Sequence, residues 1–172
     1  MAALEGGVFG FAFATGMAAE ATVLMMFESG DTVAVHNDLY GGTYRLFNTV
    51  ARPWGVEHSI ATVADVESVR ASIRPQTRMV WVETPTNPLL GIADIEAVAA
   101  LAHEAGALLV VDNTFASPYL QQPLLLGADV VVHSMTKYLG GHSDCLLYTS
   151  DAADDPPCVV LGGRRTTKKQ HI

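Results

Sequence analysis

The chain has 172 residues, enough for one domain with a sizeable core. Apolar residues make up 49% and charged residues 16%, which excludes a disordered chain, and no apolar run nears the ~20 residues of a membrane span. A formal net charge of −8 argues against nucleic acid and anionic membranes as partners. The two cysteines have neither metal-ligand nor disulfide spacing, which fits a reducing cytoplasm, and no secretion signal is expected.

Residues 1–7 read as the end of an internal helix, so Met1 is not expected to be the native start. The apolar and aromatic run 8–14 is expected to be a strand, broken by Thr15-Gly16, with a helix over 17–27. Residues 32–36 and 79–83 read as buried strands. Over 94–105 the pattern is helical: Asp94 suits the N-cap or first turn, Ile95, Val98, Ala99 and Ala102 share a face, and Gly106 stops the helix. The runs 108–111 and 130–132 are uninterruptedly apolar, as strands covered on both faces are. Strand, helix, strand at this spacing predicts an α/β fold, a mostly parallel sheet flanked by helices. From Cys145 the rhythm stops, and residues 145–172 are expected to be disordered and outside the domain formed by 1–144. The stretch 145–154 resembles the conceptual translation of a transposon-end adapter used in DNA library preparation.

In a parallel sheet, ligands bind beyond the carboxyl ends of the strands, so the polar residues there are the candidates. Lys137 is the only lysine before Cys145. It follows a buried strand, and is either a surface lysine beside ordinary loop hydroxyls or a partly desolvated, neutral and nucleophilic amine, with Ser134 and Thr136 offering hydroxyls to a phosphate beside it. Asp112 ends another strand, where it either caps the next segment or holds a ring nitrogen protonated. Gly16 and Met17 open a helix whose first N–H groups suit a phosphate, though a tight turn explains the glycine equally. Tyr40, followed by two glycines, is either a core tyrosine or a plate for a planar ring with a phenol for proton transfer. Asn87 sits in Glu83-Thr84-Pro85-Thr86-Asn87-Pro88, which the prolines stiffen, so its amide is either aimed at a ring hydroxyl or part of an ordinary loop.

Taken together these motifs supply the parts of one cofactor site. Residues 1–144 resemble the Cys/Met-metabolism family of pyridoxal-phosphate (PLP) enzymes, of fold type I. The resemblance rests on Ala14-Thr15-Gly16-Met17-Ala18-Ala19, Asp38-Leu39-Tyr40-Gly41-Gly42-Thr43, Glu83–Pro88, Val111-Asp112-Asn113-Thr114 and the run from His133 through Lys137 to Asp144. It implies that Lys137 carries PLP as a Schiff base and shuttles protons. It also implies that Asp112 pairs with the pyridinium nitrogen, Tyr40 stacks on the ring, and Gly16, Met17, Ser134 and Thr136 hold the phosphate. Asn87 would contact the 3-hydroxyl side and Thr114 would support the cofactor near Asp112. His36 and the phenylalanines are taken as packing or loop residues.

The implied activity is β/γ-elimination or γ-replacement on cystathionine, homoserine esters or related amino acids, with wording nearest to cystathionine γ-synthase or γ-lyase. Homoserine-ester sulfhydrylase and methionine γ-lyase are the alternatives within the family. The implied assembly is a homotetramer built from dimers that share the active site. The family's Tyr-x-Arg phosphate segment and its C-terminal domain are not found in these residues, so the chain alone is expected to show little turnover. Two readings of other classes remain: a truncated, non-catalytic PLP-binding fragment, and a nucleotide-binding α/β module. The latter would need a Gly-rich fingerprint, which Gly16 followed by Asp38 imitates poorly.

Overall fold

The computed structural model describes residues 1–141, so the expectations for residues 145–172 lie outside the described part. Its helices are α1 (Ala2–Glu5), α2 (Gly16–Leu24), α3 (Gly41–Arg45), α4 (Val66–Ser72), α5 (Ile95–Glu104) and α6 (Ser117–Leu120). Its strands are β1 (Thr32–His36), β2 (Glu57–Ala61), β3 (Thr77–Glu83), β4 (Leu108–Asp112) and β5 (Val130–Val132). Helix α3 runs on through a π-helical stretch, Leu46–Ala51, and a 3-10 turn, Arg52–Trp54. Among the described residues the five strands form one sheet in the order β2-β1-β3-β4-β5, with every pair parallel.

The pleat divides the apolar strand residues between two cores. Val33, Val35, Met79, Trp81, Val110 and Val132 pack with Ala19 and Val23 of α2 and with Phe47. Phe47 meets Trp81 edge-on at 6.1 Å between ring centres. Ala34, Val80, Val82, Leu109, Val111 and Val131 face the other way, onto Val69 of α4 and Ile95, Val98, Ala99, Leu101 and Ala102 of α5. Helices therefore cover both faces, which is why the central strands are apolar throughout.

Helix α5 starts as its sequence dictates: the Asp94 side chain accepts the Ala97 N–H at 3.0 Å, and Gly106 follows the helix at φ 71. Residues 1–7 likewise form the short helix α1, ended by Gly6 at φ 72. The run 8–14 is not a strand. Val8, Phe9 and Phe11 are exposed, and only Phe13 reaches the core beneath α2. Glycines at 6, 7 and 10 weaken any strand there, and β propensity without a neighbouring edge decides little. Strand β2 and helix α4 lie where the sequence pattern is unremarkable: an edge strand of alternating exposure needs no apolar run.

From β1 the chain runs to β2 on one side, then crosses back over β1 to β3 on the other. The strand order reverses between β1 and β3, and a crevice opens at the carboxyl ends of strands at such a point.

Candidate functional site

A cavity of about 190 Å³ lies at that edge, lined from five directions. The start of α2 gives Thr15, Gly16, Met17 and Glu20; the β1 loop gives Tyr40; β3 and its loop give Glu83 and Asn87. After β4 come Asp112, Thr114 and Phe115, and after β5 come Ser134, Thr136 and Lys137. Every residue singled out in the sequence as a site candidate is on this wall.

Thr15 caps α2, its hydroxyl accepting the Ala18 N–H at 3.0 Å. The cap leaves the Gly16 and Met17 end of the helix directed at the cavity, where the helix dipole favours an anion. A Cβ on Gly16 would already touch the Ser134 side chain at 3.4 Å, so helix start and Ser134 loop pack closely. Ser134 and Thr136 hydroxyls lie 3.2 Å apart, and the Ser134 N–H donates to Thr114 Oγ1 at 2.8 Å. Thr114 also gives its N–H to Asp112 Oδ1 at 2.9 Å. Burial pushes the Asp112 carboxyl above its ordinary value, while the Thr114 hydrogen bonds and nearby His133 pull the other way.

Tyr40 precedes α3, and its N–H donates to Glu83 Oε2 at 3.0 Å. Its ring uses space that only a glycine leaves: a Cβ on Gly42 would sit 2.5 Å from Tyr40 Cε1 and 2.7 Å from Met17 Sδ. Lys137 differs from expectation. It is on the cavity wall but exposed, because the turns after Ser134 carry it outward together with Tyr138.

Two acids on this wall were given no role from the sequence. Glu20 is pushed up to about 8, first by burial and then by repulsion from Asp112, against a 2.7 Å hydrogen bond from Thr43 Oγ1. Glu83 is pushed up to about 8 by the same two causes in the same order. An acid inside an otherwise apolar helix, Met17-Ala18-Ala19-Glu20-Ala21, was the available signal for the first. The second opens the Glu83–Pro88 motif at a strand end, but nothing in that motif marked its acid as a buried one.

His36 is buried, and burial pushes it down to about 4. Its Nδ1 accepts the Asp38 N–H at 3.2 Å, so Nε2 carries the hydrogen, 4.0 Å from Glu83 Oε2. That is too long for a hydrogen bond, and with both groups neutral at pH 7 it is not an ion pair. His133, which also follows a strand, turns away from the cavity. Its Nε2 bonds Glu5 Oε1 at 2.5 Å in full burial.

The family model described as "Cys/Met metabolism PLP-dependent enzyme" matches residues 1–150. The chain is 54% identical over 165 residues to a cystathionine gamma-synthase of Mycobacterium bovis, covering 94% of this chain and 42% of that protein. It is 54% identical over 141 residues to a cystathionine gamma-lyase of Bacillus subtilis, covering 82% and 37%. The crystal structure of cystathionine gamma-lyase from Lactobacillus plantarum complexed with L-serine superposes with a TM-score of 0.85 at 45% identity, covering 95% of this chain and 40% of that one. The chain thus spans about two-fifths of the length of these relatives. With this fold and this wall of donors, the chain belongs to the Cys/Met metabolism PLP-dependent enzyme family.

Proposed function

We propose that residues 1–144 are part of the PLP-binding large domain of a trans-sulfuration enzyme. Its reaction is γ-replacement or β/γ-elimination on cystathionine, homoserine esters or related amino acids. The observation that carries this reading is the convergence of α2 and four strand-end loops on one cavity holding Lys137 and Asp112 together. The donor set fits the cofactor. A phosphate suits the α2 N-terminus with Ser134 and Thr136, a protonated ring nitrogen suits Asp112, and a flat ring suits Tyr40. A cavity of about 190 Å³ suits one ring with one arm and is small for a dinucleotide.

PLP bound here supplies an electron sink that makes the substrate's α and β protons removable. The residues then divide the labour. The Lys137 amine would hold the cofactor and, when free, would carry protons between neighbouring substrate carbons. Asp112 would hold a proton on the ring nitrogen, and Thr114 fixes that carboxylate's orientation through its N–H. Tyr40 would plate the ring and offer its phenol for proton transfer. Ser134, Thr136 and the first N–H groups of α2 would hold the phosphate, and the Asn87 amide would serve the ring hydroxyl.

Identity to both a synthase and a lyase at 54% supports cystathionine as the substrate class. The reading extends to a cytoplasmic homotetramer of dimers sharing the active site, without nucleic-acid or membrane partners. The net charge of −8 supports the last part. Residues 145–172 are read as outside the domain, which adapter-free sequencing of the parent locus checks. The cofactor assignment is tested by adding PLP to the purified chain. A visible absorption band that borohydride removes, and that Lys137→Ala lacks, is expected; a band that persists in Lys137→Ala overturns the assignment.

A further inference from the structure

We infer that Asp38 is a positioning residue for the proposed PLP site, acting as a staple that fixes the Asn87 loop to the Tyr40 loop beside the cavity. The inference rests on the cofactor reading and deepens it. Asp38 lies in the loop after β1, two residues before Tyr40. Its Oδ2 accepts the Thr86 hydroxyl at 2.5 Å and the Leu89 N–H at 2.9 Å, contacts 48 and 51 residues away in sequence. Thr86, buried, closes the loop on itself: its hydroxyl accepts the Gly91 N–H at 2.8 Å, and its N–H and carbonyl bond Gly91 and Leu90. Asn87 is thereby held between two stapled points, Thr86 and Leu89, on the cavity wall. Nothing else bonds this loop to the Tyr40 loop among the described residues, whereas Tyr40 itself is anchored to β3 through Glu83.

A staple needs an acceptor, not a charge. Asp38 also acts through its charge, raising the pKa of both His36 and Glu83. Asp38→Asn separates the two roles, since an amide oxygen accepts both hydrogens while the charge is lost. The full chain is loaded with PLP and cofactor retention is read from the visible band. Asp38→Ala is expected to weaken retention about 10- to 100-fold, the usual effect of losing a hydrogen bond to a charged group. Asp38→Asn is expected to restore most of it, and Thr86→Val to imitate Asp38→Ala. Asn87→Ala in the Asp38→Ala background is expected to add little, because the amide is already misplaced. Independently of PLP, the Leu89 amide is expected to exchange with solvent faster in Asp38→Ala and unchanged in Asp38→Asn.

Additive effects of Asp38→Ala and Asn87→Ala would overturn the positioning role, as would Asp38→Asn behaving like Asp38→Ala. Unchanged Leu89 exchange in Asp38→Ala would overturn the staple itself. Absence of any lysine-dependent band in the unmutated chain would instead overturn the cofactor reading and, with it, the role toward PLP, with the staple still decided by exchange.

Discussion

At the residue scale the cavity is acidic, and two of its acids, Glu20 and Glu83, hold their protons at neutral pH. Glu20 and Glu83 each rise from 4.5 to about 8, burial leading and Asp112 second. Between those two pH values the folded chain binds more protons than the unfolded one, so stability falls as pH rises through that window. It is fully present below 4.5 and flattens above about 8. The slope per group is at most about 1.4 kcal/mol per pH unit. Glu20→Gln keeps an acceptor for Thr43 and removes the titration. Urea denaturation at pH 5 and pH 9 is expected to show the variant gaining stability over the parent at pH 9 only; equal gains at both would refute the assignment. Gly42→Ala tests the other local constraint. Its methyl would lie 2.5 Å from Tyr40 Cε1, so displacement of the ring and a loss of about 1–3 kcal/mol are expected, read by urea midpoint and Tyr40 ring NMR shifts. The cavity candidates were legible because their neighbours in sequence punctuate strand ends. Glu20 and Glu83 were not, because a shifted acid is made by what folds over it, and the covering strands come later in the chain.

At the level of elements, legibility followed burial on both faces. Strands β1, β3, β4 and β5 are short apolar runs between turns, and each appears within two residues of its expected bounds. Helix α5 was readable because one face is apolar and both ends are marked. Asp94→Ala removes the Ala97 bond and is expected to cost about 1 kcal/mol, measured as a urea midpoint shift at constant slope. No shift would mean that solvent replaces the cap without loss. Strand β2 carries Glu57 and Ile60 outward at the sheet edge and sets a half-buried His58 against Phe47, so its sequence lacks the apolar run that betrays the others. The run 8–14 fails in the opposite sense. Its aromatic residues suit a strand, yet three of its large side chains, Val8, Phe9 and Phe11, stay on the surface. Hydrophobicity there describes what the segment could bury, while pairing depends on an available edge, which no single segment encodes.

Across the whole molecule, one buried network closes the fold between chain positions far apart. Glu5 Oε1 receives Asn113 Nδ2 at 2.8 Å and lies 2.5 Å from His133 Nε2, contacts 108 and 128 residues away in sequence. Gln121 extends it, donating to Asn113 Oδ1 at 2.8 Å and to the Thr84 carbonyl at 2.7 Å. Helix α1 is thereby tied to the ends of β3, β4 and β5, directly behind Asp112 and Ser134. No sequence pattern announces such a link, because each member is a single polar residue inside a different element. Glu5→Ala leaves His133 and Asn113 buried without their acceptor and is expected to cost about 3 kcal/mol. Glu5→Gln, whose amide oxygen still accepts both hydrogens, is expected to cost about half as much. If the network joins the elements into one cooperative unit, Glu5→Ala will raise amide exchange in β5 and in the Asn113 loop as well as in α1. Faster exchange confined to α1 would show that the helix merely rests on the sheet, and that the site is held by its own loops alone.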